Sequence, residues 1–246
     1  MHGIDTRHRS TAMSSFEIVR YVHVALGTLA LVTFWSAGLA RKGSPLHRAS
    51  GKVYLAAMAV LLLAAVPLTV RVGMAGRTAL AAFLGYLLLI TGTACWKAWR
   101  AIRDKRDWAR YAGGTFRALA GANLAGGAAI LGLGVLQQQP IFMGFSLVGL
   151  LGGRAMLRFA RQPPADPRWW LDEHLGATIG NGVATHIAFL AIGLPRLWPA
   201  LSGSTGQMLA WLGPLVLATI ARFWLARRYL PPRPRAVQAA HAASTV

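Results

Sequence analysis

Polar residues in this chain gather in short clusters, and long apolar runs separate them. Seven runs, at approximately 18–40, 53–70, 79–99, 118–137, 139–158, 174–194 and 207–226, are each about twenty residues long. A helix of ~20 residues crosses a hydrocarbon core of ~30 Å. The pattern therefore predicts an all-α, polytopic integral membrane bundle of seven transmembrane helices, forming one domain over residues 16–228. Residues 1–15 and 229–246 are predicted to be disordered tails. Arg154 and Arg158 shorten the apolar part of the fifth run, which makes it the weakest span; both side chains can snorkel from a membrane boundary.

Composition agrees with that pattern. The chain is 55% hydrophobic and 13% charged, whereas a soluble domain carries about a quarter charged residues. Twenty-six Lys and Arg face seven acidic residues, a formal charge of +19. In a soluble protein that excess points to nucleic acid. Here the charges lie between apolar runs, so the expected partners are anionic lipid headgroups and a membrane-complex partner, with no nucleic acid. Counted by alternating loops, six Lys and Arg fall on one side and twenty on the other. The positive-inside rule then puts the N-terminus outside and the C-terminus in the cytoplasm of a bacterial inner membrane. Trp96, Trp99, Trp169, Trp170, Trp198 and Trp224 fall near run ends, as an interfacial belt requires. Ala40 could end a signal-peptide cleavage site. Cleavage there would export the basic segment 41–52, against the charge balance.

The runs hold little obvious chemistry. No carboxylate lies inside a span, which argues against a proton-coupled transporter, and no hydrolase motif is present. The single cysteine, Cys95, excludes an intrachain disulfide and reads as a buried, inert thiol. Histidine remains. His23, His47, His174 and His186 lie in or beside spans, where an unpartnered imidazole is costly. Helix direction sorts them into an outer pair, His23 and His186, and a cytoplasmic pair, His47 and His174. Gly27 and Gly182 each lie one turn to the cytoplasmic side of an outer histidine, on the same face. Two imidazoles above two bare patches suit a flat ligand: haem b with His23 and His186 as axial ligands, or copper on the same pair. The alternative is that the glycines permit close helix packing and the histidines bond to backbone carbonyls. A cytoplasmic group of His47, Arg48, Tyr54 and His174, with Lys52, Trp169, Trp170, Asp172 and Glu173, would hold haem propionates, an anionic lipid or a quinone head. There Asp172 and Glu173 would orient His174 or pair with Arg48. Interfacial anchoring accounts for the same residues without a ligand.

Two blocks carry a resemblance. His23-x3-Gly27, Gly38 and His47-Arg48-x2-Gly51-Lys52-x-Tyr54, together with the run from His174 to Phe189 that contains His186, resemble an uncharacterised family of predicted bacterial multi-pass membrane proteins, catalogued as a domain of unknown function. The resemblance implies a multi-pass membrane protein and carries no activity. Four histidines at two membrane levels are also similar to two-haem cytochromes of the b type, although His47 is expected in a loop rather than on a helix. The functional expectation is a haem- or metal-binding redox or assembly component, with a non-enzymatic carrier or structural partner of a membrane complex as the alternative.

Overall fold

A computed structural model describes residues 15–193, 195, 198, 199 and 203–230. Most of both predicted tails, including His2, His8 and His241, lies outside these residues. The described chain is helical without strands: α1 (Ser15–Leu39), α2 (Pro45–Met74), α3 (Thr78–Arg103), the single turn α4 (Trp108–Tyr111), α5 (Gly114–Leu136), α6 (Pro140–Phe159), α7 (Trp169–Ile187) and α8 (Ser204–Tyr229). Six of them, α1, α2, α3, α5, α6 and α8, are long and apolar enough to cross a membrane. This is the architecture of a multi-pass membrane protein.

The weak member is α7 rather than the Arg-bearing α6. Asp172, Glu173 and His174 occupy its first turns, and a run of Gly, Ala, Thr and Asn lowers its apolarity. It leaves α geometry at Ile187 and continues as a π-helical turn, Ala188–Gly193.

Segment 41–52 is mostly not a loop. Gly43, at φ +79°, makes the turn after α1 in a conformation that only glycine adopts cheaply. Ser44 then caps α2, its side chain accepting from the His47 amide at 3.2 Å, and Pro45 supplies a preset φ at the first position. His47 thus sits in the first turn of α2, not in a loop as expected. The same segment closes α1: Lys42 Nζ donates to the Ala37 and Gly38 carbonyls, and His47 Nδ1 to Ala37 at 3.0 Å. These are orphan acceptors at the negative end of the helix dipole, so a basic loop satisfies them well.

The hairpins α1–α2 and α5–α6 each flank α3, and α7 lies against α3 and α8. Between α5 and α6 the approach is backbone-close. A Cβ on Gly149 would fall 2.7 Å from the Asn123 carbonyl, and one on Gly153 2.7 Å from that of Ala120. Tyr86 of α3 completes this contact by donating to Phe145 O at 2.9 Å and accepting from Gly149 N at 2.9 Å.

The connections 104–113 and 160–168 meet at one end of the bundle, called here the basic end. Tyr111 is fully buried among Trp96, Phe116, Phe159 and Trp169. Trp169, at 8% exposure, is therefore core rather than belt. Trp99 and Trp224 remain exposed beneath the guanidinium groups of Arg103 and Arg228, the stacked arrangement an interfacial belt favours.

Candidate functional site

Tyr54 of α2 reaches across the bundle, and its hydroxyl meets Thr185 Oγ1 of α7 at 3.0 Å. Thr185 also bonds the Asn181 carbonyl one turn back, at 3.0 Å, and touches Met58 Sδ at 3.7 Å. Asn181 Oδ1 accepts from Cys95 Sγ of α3 at 3.2 Å. A polar chain, Tyr54–Thr185–Asn181–Cys95, thus runs through three helices inside an otherwise apolar cluster of Ala30, Tyr54, Ala57 and Met58. Asn181 is fully buried, and its Nδ2 has no hydrogen-bond partner among the described residues. An amide N–H left unpaired in an apolar interior is costly, so this donor points to an acceptor that belongs beside it.

One face of that cluster is closed by rings. Phe34 of α1 lies 5.5 Å from Tyr54 and 5.4 Å from His186, centroid to centroid, and Trp35 lies 5.6 Å from His186. Trp35 Nε1 donates to His186 Nε2 at 3.0 Å. Because Nε2 accepts, Nδ1 carries the proton and donates to Gly182 O at 2.7 Å. Both ring nitrogens of His186 are therefore engaged within the protein.

His186 meets α1 at Phe34 and Trp35, whereas His23 lies twelve residues before Trp35, about 18 Å along the helix axis at ~1.5 Å per residue. The structure does not bring His23 and His186 together. Nor are the two glycine patches bare. A Cβ on Gly182 would lie 2.5 Å from the Phe34 ring, and one on Gly27 would rest 3.6 Å from a Leu61 methyl. The residues present thus do not fit a haem or a metal shared by that pair. His23 faces α2 near Leu61 with a buried Nδ1 that has no partner among the described residues.

The other pair differs. His174 Nδ1 donates to Ala98 O of α3 at 2.9 Å, as His47 Nδ1 does to Ala37 O. Each keeps an Nε2 lone pair. Arg48 is exposed, as is Lys52 one turn later. The two acids beside His174 serve neither that imidazole nor Arg48. Asp172 pairs with Arg222 of α8, while Glu173 pairs with Lys97 at 3.1 Å and accepts from Tyr111 Oη at 2.8 Å. Burial, and then the Glu173 charge, push the Tyr111 phenol far above the ordinary tyrosine range. Among the described residues no group of three or more His, Cys, Asp or Glu could hold a metal ion.

Compared with family models, with curated proteins and with solved structures, the chain matches none. Of the predicted site residues, Tyr54 and Gly182 belong to the polar cluster and its closing ring, His186 borders it, and His47 and His174 form a separate pair. Phe34, Trp35, Met58, Cys95, Asn181 and Thr185 were not anticipated as site residues. One signal was available for Asn181. The chain has only two asparagines, Asn123 and Asn181, and both lie inside apolar runs.

Proposed function

We propose that this chain is a non-enzymatic, membrane-embedded binding protein or carrier for a small neutral molecule bearing a hydrogen-bond acceptor. The molecule is held between α1, α2, α3 and α7. The observation that carries this reading is the Asn181 Nδ2 group, fully buried and without a partner at the centre of the Tyr54–Thr185–Asn181–Cys95 chain. A carbonyl-type oxygen would satisfy it, and the thiol and phenol beside it supply further weak polar contacts. In this reading α7 with its π-helical extension is a seventh span, the N-terminus is outside, and the basic end faces the cytoplasm of a bacterial inner membrane. The division of Lys and Arg, six on one side and twenty on the other, supports that orientation. The deciding experiment is mass spectrometry of solvent extracts from detergent-purified protein. Wild type carries a compound that Asn181→Leu loses while eluting as the same folded species; identical extracts from both proteins would end the proposal.

A second reading, a haem or transition metal at the basic end, is favoured by one observation. His47 and His174 both donate Nδ1–H to backbone carbonyls, the arrangement that orients an imidazole for ligation through Nε2. Such a group would supply electron transfer, while these residues would orient it. A reduced-minus-oxidised visible spectrum and metal analysis of protein from haem-replete cells test it. A Soret band that weakens in His174→Asn supports the reading, and an empty spectrum with no metal removes it.

A further inference from the structure

Most cations at the basic end have an anionic or aromatic neighbour. Arg100 and Arg110 face Asp104, Arg168 faces Asp166, Arg222 faces Asp172 and Lys97 faces Glu173. Arg117 spans from α5 to the Ala160 carbonyl at 2.8 Å, closing the end of α6. Three arginines on and just after α6 depart from this rule. Arg154 and Arg158 stand one turn apart, and Arg161 follows just beyond the helix end. All three are exposed, and their guanidinium groups have no hydrogen-bond or ion-pair partner among the described residues.

These arginines line a groove of about 430 Å³ together with Leu124 of α5 and Leu150, Leu151 and Leu157 of α6. No acidic residue lines it. The groove exists because glycine brings α6 onto α5: Gly153 and Gly149 face the α5 backbone, which leaves the arginine side of α6 beside Leu124. Arg154 lies within the span Pro140–Phe159, five residues before its end, or about 7.5 Å inside it. A permanent cation at that depth needs an anion or a route to water, and its neighbours here are leucines. The groove thus has two halves, a ladder of guanidinium groups and an apolar floor.

We propose that this groove binds an anionic phospholipid. Its phosphate lies across Arg154, Arg158 and Arg161, where guanidinium groups offer forked N–H donors to phosphate oxygens. One acyl chain lies along Leu124, Leu150 and Leu151. A free phosphate would use the arginines but not the leucines, and a zwitterionic lipid would add a cation among cations. The site is independent of the Asn181 cluster, since it shares no residue with it.

Native mass spectrometry of the full chain in detergent, titrated with phosphatidylglycerol or phosphatidylcholine, tests the proposal. Wild type retains phosphatidylglycerol in preference to phosphatidylcholine. Each basic residue near an anionic surface contributes about fivefold, so Arg154→Gln with Arg158→Gln lowers phosphatidylglycerol affinity about 25-fold. Removing equal charge elsewhere, by Arg227→Gln with Arg228→Gln, leaves that affinity within about twofold of wild type. If the double variant elutes as an aggregate, Arg161→Gln alone gives the reading, with about a fivefold loss. Equal losses from the α6 pair and the α8 pair would reduce the effect to diffuse charge and overturn the site. Displacement of the lipid by inorganic phosphate would overturn it as well, since the groove would then be a soluble-anion site.

Discussion

The two asparagines of this chain lie in comparable helical surroundings and end differently. Asn123, between α3 and α5, donates from Nδ2 to Thr93 Oγ1 at 2.8 Å and to Leu119 O at 2.7 Å. Asn181, between α3 and α7, has no partner for its Nδ2 among the described residues. The two hairpins that flank α3 also differ in their packing. The α5–α6 glycines are so closely covered that an added Cβ on Gly127, Gly149 or Gly153 would meet backbone at 3.0 Å or less. In the α1–α2 hairpin, a Cβ on Gly27 would make ordinary contact, and Gly38 and Gly51 have nothing within 4 Å. The α5–α6 flank of α3 uses small residues for backbone approach and bonds its asparagine amide. The side facing α7 retains an unpartnered amide donor at Asn181.

That difference can be broken most directly by adding bulk. Gly149→Ala forces a methyl against Tyr86 Oη and the Asn123 carbonyl, and overpacking of this kind costs about 3 kcal/mol. Gly51→Ala, in open space inside α2, should raise stability by about 0.5–1 kcal/mol, the helix preference of alanine over glycine. Equal losses in detergent unfolding would erase the distinction between the two flanks.

The seam between the flanks is the Tyr111–Glu173 bond, whose loss in Tyr111→Phe should cost about 2 kcal/mol because its acceptor is charged. Its pH dependence carries the sign. Folding raises the phenol pKa, so this contribution is whole below the unfolded tyrosine value near pH ~10 and declines as pH rises above it. The stability gap between wild type and Tyr111→Phe should therefore narrow in alkali, measured by thermal unfolding from pH 8 to 11. A gap that widened would contradict the assignment.

The smallest effects discriminate most finely. Asn123→Leu removes the donor to Thr93 Oγ1 and Leu119 O, while Thr93 keeps its own bond to Leu89 O, and should cost about 1 kcal/mol. Asn181→Leu removes an unpartnered donor and, with it, only the weak thiol bond from Cys95, so in ligand-free protein it should cost less than about 0.5 kcal/mol. A loss at Asn181 as large as that at Asn123 would show that the amide is structural.

Much of the fold was legible in the chain order. A run of twenty apolar residues can only be satisfied as a helix in lipid, so the helical class and the approximate position of six of the seven expected spans follow from local composition. The residual errors were local too. The Ser44-Pro45 start signal for α2 lies inside what reads as a basic loop, and α7 is polar enough to fall outside the apolar class. The site was less legible. Periodicity puts Gly182 and His186 on one face of a helix, yet it does not say which residue of α1 that face meets. Phe34 fills the glycine patch and Trp35 takes the second imidazole nitrogen, so a pattern that suits a flat ligand is spent on packing. Residue type and spacing thus determined that this is a multi-pass helical protein with histidines in or beside its apolar runs. Only the tertiary structure decided which of those polar groups are paired, because hydrogen bonds between helices depend on axial register and rotation, and no single helix encodes its neighbour's.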